Sequence, residues 1–352
     1  MPKIRISTMS TIKYLTIIFL TALTFSCGSN TGSKKSDFSI KTNAKKGNIS
    51  NNETLKLSLE NKKGHTIDSV LYTLNGKRIK ANTVLKNIKL GEHTIKATVH
   101  FNGEKQETTY PITILNSEVP KIYGYKIVNE YPHDITSYTQ GIEFFNDTLY
   151  ESTGQYRESK LRKVNYKTGE IIKNLNLANE YFGEGLTILN NKVYQLTWQK
   201  GIGFVYSVNT FEKLDSFKYG NSKEGWGLCN DDDILYKSDG TEKIWMLNPE
   251  TLVEEDYIQV CTNKGKIVGI NEMEWIEGKI YANRYQKNGV AIINPKNGAV
   301  EGVIDFTPLK NKVTQHQGLD VLNGIAYNPK TKTIFVTGKR WDKLFEVEIV
   351  EK

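Results

Sequence analysis

At 352 residues the chain is long enough for about two domains, each able to bury a core without disulfide help. An apolar fraction of 38% with 24% charged residues excludes a disordered, collagen-like or multi-span membrane protein, and three cysteines cannot build a disulfide scaffold. The formal charge of +8 is spread out, with no dense Lys/Arg block interleaved with aromatics, so nucleic acid is not an expected partner. Aromatics at 11%, led by 19 Tyr, and 28 Gly against 8 Pro favour strands joined by many turns.

Lys3, Arg5 and Lys13 come before an apolar run from Tyr14 to Phe25, followed by Ser26-Cys27-Gly28. A basic start, a short apolar core and small residues predict a signal peptide over 1–26, too short to span a bilayer comfortably. Leu23-Thr24-Phe25-Ser26-Cys27 resembles a bacterial lipobox, which implies acylation of Cys27. The expectation is secretion across the inner membrane and a lipid anchor in the bacterial cell envelope, at the periplasm or outer membrane; the alternative is plain secretion with an incidental Cys27. Residues 27–37, which include Gly28-Ser29-Asn30-Thr31-Gly32-Ser33, read as a flexible tether.

Residues 38–116 alternate apolar and polar at period two, as in Leu55-Lys56-Leu57-Ser58-Leu59 and His93-Thr94-Ile95-Lys96-Ala97-Thr98-Val99. Asn75-Gly76 and Asn102-Gly103 lie between such runs and signal hairpins. About seven short strands in this span predict a small immunoglobulin-like β-sandwich, a spacer or binding module without chemistry of its own.

From 122 to 352 a repeat dominates. Gly141-Ile142…Leu149-Tyr150, Gly185-Leu186…Val193-Tyr194, Gly227-Leu228…Leu235-Tyr236, Glu272-Met273…Ile280-Tyr281 and Gly324-Ile325…Ile334-Phe335 recur every 42 to 52 residues or so. Most units continue with a third strand, a turn and a fourth strand, the pattern of a propeller blade. The fold expected is all-β, a five-bladed β-propeller preceded by the sandwich. The last unit ends three strands in, and Tyr123-Gly124-Tyr125-Lys126-Ile127-Val128 can supply its outer strand and close the ring. A closed ring leaves no edge to share, so a monomer is expected.

In such a ring the residues before each inner strand and those leaving each second strand meet at one mouth. The first set is Gln140, Glu184, Trp226, Asn271 and Asn323; the second is Trp198, Asp239, Tyr285 and Lys339, with Tyr138 and Phe182 close by. A carboxyl group, a lysine, amides and aromatics together predict a polar pocket with flat walls, although any one of them could be structural. Asp239, in Ser238-Asp239-Gly240, reads as a turn former. His65, His93, His100, His133 and His316 are scattered, so no metal or cofactor is expected. Cys229 and Cys261 read as separate buried thiols, the alternative being a disulfide between them in a secreted protein.

At these residues the chain resembles the plant and bacterial type of glutaminyl-peptide cyclotransferase, or glutamine cyclotransferase. The matching stretches include Tyr131-Pro132-His133-Asp134, Tyr138-Thr139-Gln140-Gly141, Phe182-Gly183-Glu184-Gly185-Leu186-Thr187, Gln195-Leu196-Thr197-Trp198 and Glu224-Gly225-Trp226-Gly227-Leu228. They continue, in order, with Asn271-Glu272-Met273-Glu274-Trp275, Val321-Leu322-Asn323-Gly324 and Thr337-Gly338-Lys339, covering roughly 122–350. The resemblance implies a five-bladed propeller that converts N-terminal glutamine of peptides or proteins to pyroglutamate with loss of ammonia. It implies Glu184 as the acid/base glutamate and Lys339 and Asn271 beside it. Gln140, Phe182, Trp198 and Trp226 are then pocket residues, with Tyr138 and Tyr285 at two further pocket positions, and the ring geometry adds Asn323 as a substrate-binding candidate. Tyr138 stands where Phe is usual and Tyr285 where Trp is usual. A rival reading is a non-catalytic propeller that holds peptide or glycan in a cell-envelope complex; another propeller hydrolase, such as a lactonase, would need a channel metal cluster that the sequence does not show.

Overall fold

The computed structural model describes residues 36–352. The expected leader, Cys27 and nearly all of the tether lie outside the described residues.

The alternating segment folds as β1 (Phe38–Thr42), β2 (Asn48–Ser50), β3 (Thr54–Asn61), β4 (Ile67–Leu74), β5 (Lys77–Ile79), β6 (Asn82–Val84), β7 (Gly91–Phe101) and β8 (Glu104–Leu115). These form a three-stranded sheet, β1-β3-β6, and a five-stranded sheet, β2-β8-β7-β4-β5. One strand more than the sequence suggested is present, because β2, β5 and β6 have three residues each and are too short to show alternation. Asn75 and Gly76 have φ of 46° and 81°, and Asn102 and Gly103 49° and 76°. Two successive left-handed residues match the right-handed twist of the flanking strands, which is why Asn-Gly marks both hairpins. Leu55, Leu57, Ile95, Ala97, Ile112 and Ile114 fill the space between the sheets.

A long strand, β9 (Lys121–Pro132), leads into five repeated sheets. The first is β10 (Thr139–Phe145), β11 (Thr148–Thr153), β12 (Lys160–Asn165) and β13 (Glu170–Asn176). The second is β14 (Gly183–Leu189), β15 (Lys192–Thr197), β16 (Ile202–Ser207) and β17 (Lys213–Lys218). The third is β18 (Leu228–Asn230), β19 (Leu235–Ser238), β20 (Lys243–Leu247) and β21 (Glu254–Gln259). The fourth is β22 (Ile270–Ile276), β23 (Lys279–Arg284), β24 (Gly289–Ile293) and β25 (Val300–Asp305). The fifth holds β26 (Leu322–Asn328), β27 (Thr333–Gly338) and β28 (Lys343–Glu351), and its outer strand is β9, antiparallel to β28 from Lys343↔Pro132 to Glu351↔Tyr123.

The first strands form a closed cycle: β10 packs on β14, β14 on β18, β18 on β22, β22 on β26, and β26 back on β10. An apolar cluster fills each gap between neighbouring sheets. Tyr150, Leu161, Leu186 and Phe211 join the first and second, while Ile142, Phe144, Ala326 and Phe335 join the fifth and first. The arrangement is propeller-like, with the five sheets and the strand closure that the repeat implied. The sequence did not show that β9 also pairs in parallel with β25, through Gly302↔Lys121 and Ile304↔Tyr123, so that the fourth and fifth sheets share one ladder.

The sandwich is seated on this ring, and Asp37–Lys352 form one unit. Cys261 and Ala299 belong to the sandwich's apolar core; the Leu90 N–H donates to the Asn297 carbonyl at 2.9 Å, and Lys89 pairs with Asp256 at 2.5 Å. Cys229 and Cys261 are both free and buried.

Candidate functional site

Four of the five inner strands break register near their start: between Thr139 and Gly141, Gly183 and Leu186, Ile270 and Met273, and Leu322 and Ile325. The residues skipped in the pairing are Gln140, Glu184 with Gly185, Asn271 with Glu272, and Asn323 with Gly324. A bulge frees a residue from the ladder and re-aims its side chain. Here it turns these polar residues inward at one end of the ring. Glycine follows because the strands converge tightly: a Cβ on Gly185 would sit 2.7 Å from the Cα of Gly227, and one on Gly141 would sit 2.8 Å from the amide nitrogen of Leu186.

The result is a cavity of about 340 Å³ lined by Tyr138, Gln140, Phe182, Glu184, Trp198, Trp226, Asn271, Tyr285 and Lys339, together with Gln155 and Tyr156. That volume lies in the usual range for small-ligand sites, about 300–1,000 Å³. Of the residues expected at the mouth, all but Asn323 and Asp239 border it. Asn323 is fully buried behind the wall. Its amide donates to the Thr139 carbonyl at 3.0 Å and to Gln140 Oε1 at 3.1 Å. It therefore orients Gln140 rather than facing the cavity, and leaves the Gln140 NH2 free to donate to Glu184. Asp239 accepts from Thr241 and, through Oδ2, from Trp245 Nε1 at 2.8 Å, and does not line the cavity.

The walls are aromatic and meet mostly edge to face. Phe182 packs against Trp198 with centroids 5.4 Å apart, Tyr156 against Phe182 at 5.5 Å, and Trp226 against Tyr285 at 5.4 Å. The hydroxyl of Tyr138 is tied to Asp320 Oδ2 at 2.8 Å, so its ring, not its hydroxyl, meets Lys339, whose Nζ lies 4.7 Å from the ring centroid.

Glu184 and Lys339 are 4% and 3% exposed. Burial pushes the Glu184 carboxyl well above the usual range; the positive charge of Lys339 opposes this, the negative charge of Glu224 adds to it, and the bond from Gln140 opposes it. Burial also pulls the Lys339 ammonium below its ordinary value, against the attraction of Glu184 and Asp320. The fold thus disfavours full charge on both groups. Glu184 Oε2 and Asn271 Oδ1 are buried and have no hydrogen-bond partner on the protein. Buried polar atoms are normally satisfied, and both of these belong to residues that line the cavity, so they are acceptors available to a donor-bearing molecule there.

Three contributors were missed in the sequence. Gln155 and Tyr156 follow β11 as Trp198 follows β15, so extending the second-strand comparison to the first unit would have found them. Glu224 precedes Trp226 by two residues, inside Glu224-Gly225-Trp226-Gly227, but the repeat gave it no position at the mouth. Its Oε2 accepts from both indoles, Trp198 Nε1 at 2.7 Å and Trp226 Nε1 at 2.8 Å.

The family described as glutamine cyclotransferase matches residues 96–349, starting inside β7 and so earlier than the resemblance noted above. An Arabidopsis thaliana protein named glutaminyl-peptide cyclotransferase is 38% identical over 232 residues, 65% of this chain and 72% of its own length. The crystal structure of Myxococcus xanthus glutaminyl cyclase is similar with a TM-score of 0.62 at 34% identity, over 66% of this chain and 99% of that one.

Proposed function

We infer the reaction from one premise: this chain belongs to the glutamine cyclotransferase family. It is an acyltransferase that turns the N-terminal glutamine of a peptide into pyroglutamate and releases ammonia. The observation that carries the assignment of roles is the pair of bare acceptors, Glu184 Oε2 and Asn271 Oδ1, inside an aromatic-walled cavity.

The substrate's α-amine attacks its own γ-carboxamide carbon. The main task is to fold a flexible side chain into a near-ring, and flat walls from Phe182, Trp198 and Trp226 do this by restricting its torsions. The amine must attack unprotonated, and the departing nitrogen must leave as ammonia. Glu184 takes the proton from the amine and returns it to the leaving nitrogen. A pKa raised by burial toward the working pH suits a group that must do both. Asn271 accepts from the substrate's N–H groups. Lys339, buried beside Glu184 at the same cavity, faces the oxygen that gains charge in the tetrahedral intermediate. Incubating the protein with a Gln-initiated peptide and measuring ammonia separates this reading from a binding propeller. Catalysis predicts stoichiometric ammonia and a product lighter by one ammonia; the absence of both at saturating peptide would leave only binding.

Cys27 is proposed as the acylation site of an envelope lipoprotein, on the strength of Leu23-Thr24-Phe25-Ser26-Cys27. The protein is then expected in the detergent phase on Triton X-114 partition, and a Cys27→Ala variant in the aqueous phase. Equal partition of the two would remove the anchor.

A further inference from the structure

The two indole walls arise from different sheets. Trp198 leaves β15 in the second, while Trp226 lies in the irregular segment before β18 in the third. The carboxylate of Glu224 joins them, with one oxygen accepting from both Nε1–H groups at 2.7 and 2.8 Å. Charge-assisted bonds of that length fix geometry more strongly than neutral ones.

Glu224 is itself held from behind. The buried ammonium of Lys237 donates to the Glu224 carbonyl oxygen at 2.8 Å, lies 4.0 Å from the Tyr219 ring centroid, and contacts Ser222 and Glu254. Glu254 Oε2 accepts from the Asn221 N–H at 2.7 Å and the Ser222 N–H at 3.0 Å. The Tyr219 hydroxyl bonds the Thr197 backbone through both its N–H and its carbonyl, each at 2.8 Å. The segments that carry the two indoles are therefore anchored on one buried polar group, and Glu224 is the piece that reaches forward to both.

We propose that Glu224 is a positioning residue of the cyclisation site, its carboxylate setting the spacing of the Trp198 and Trp226 walls between which the glutamine side chain is folded. The proposal rests on the reaction assigned above. Its charge also acts on Glu184, alongside the other groups that face that carboxyl: Gln140 from β10, Lys339 after β27, and the phenols of Tyr138 and Tyr219.

Two variants separate positioning from general support. In Glu224→Ala both indoles lose their acceptor, and KM for a Gln-initiated peptide rises about tenfold or more, with a smaller fall in kcat. In Glu224→Gln the amide oxygen still accepts while the negative charge is gone. Its KM returns to within about threefold of wild type, but the acid limb of kcat/KM moves to lower pH because Glu184 has lost a repelling neighbour. Circular dichroism and Tm establish that each variant is folded, and if the alanine variant is not, the glutamine variant alone carries the test through its pH limb. A folded alanine variant with KM unchanged, or an amide variant whose acid limb stays in place, overturns the proposal. Wild-type protein that releases no ammonia would remove the reaction, and the proposal with it.

Discussion

Glu184 is kept from water, yet one of its oxygens has no partner on the protein, and Lys339 sits near enough to pull its pKa down without neutralising the effect of burial. Replacing Lys339 by Met removes that pull. The Glu184 pKa then rises further, so the acid limb of the kcat/KM profile should move to higher pH, and kcat should fall by about 100-fold if Lys339 also faces the developing oxyanion. A limb that moves to lower pH would contradict the arrangement. Tyr138 offers a contrasting case. Its hydroxyl is engaged by Asp320, so Tyr138→Phe should alter kcat and KM by less than about threefold. Nine of the eleven cavity residues could be read from the sequence because each lies just before an inner strand or just after a second strand of its repeat. Asn323 also precedes an inner strand, but its NH2 is taken up by Thr139 and Gln140, and no periodicity distinguishes an inward side chain from one turned onto its neighbour. Glu224 was hidden for the opposite reason. It lies in an irregular segment whose conformation depends on Lys237, Ser222 and Glu254.

At the level of the strand, one position distinguishes the fourth sheet. Gly141, Gly185, Gly227 and Gly324 follow the mouth residue in four units; in the fourth the residue is Glu272. Its buried carboxyl reaches across the ring, with Oε2 accepting from the Ile325 N–H at 2.8 Å and Oε1 from the Ile142 N–H at 3.4 Å. Glu274 accepts from the Tyr327 N–H at 2.9 Å, and Glu143 from Thr187 and from the Ile188 N–H. Carboxyl groups thus tie the fourth sheet to the fifth and first, and the first to the second. Burial raises the Glu272 pKa well above its ordinary value, against the two backbone N–H groups, with the charge of Glu143 adding to the rise. A raised folded-state pKa means that the native state binds the proton more tightly than the unfolded chain. The associated stability is complete below the unfolded value and is lost as pH climbs through the folded one. Glu272→Gln cannot ionise but leaves one of the two backbone N–H groups facing an amide NH2, so its Tm should lie below wild type near pH 4 and gain on wild type toward pH 8. A Tm difference that does not move in the variant's favour with rising pH would refute this. Gly227 allows the opposite test. A methyl group there would overlap the Asn271 carbonyl and the Glu272 Cα, so Gly227→Ala should cost about 3 kcal/mol and displace Asn271, lowering stability and turnover together.

Across the whole molecule, closure by β9 and the seat of the sandwich decide which surfaces are accessible. The closure was legible because the last unit lacked a strand and one strand-like segment preceded the first. The seat was not, since the contacts at Leu90, Gly91 and Glu92 with Asn297 and Gln259 show no pattern in either partner's sequence. That seat buries Cys261, and burial pushes its thiol up to about 12. Thiol labelling mapped by mass spectrometry should find Cys261 and Cys229 unreactive in the folded protein, and Leu90→Glu, which wedges a charge into the seat, should expose Cys261 but not Cys229. The ring's main consequence is chemical. It brings Glu184 and Lys339, from the second and fifth sheets, into one cavity. The measurement closest to that point is ammonia released from a Gln-initiated peptide by wild type and Glu184→Gln, compared at equal folded concentration as judged by Tm. Loss of the proton carrier should slow release by about 100-fold or more while Tm holds or rises. Turnover of the amide variant within a few-fold of wild type would show that Glu184 does not carry the proton.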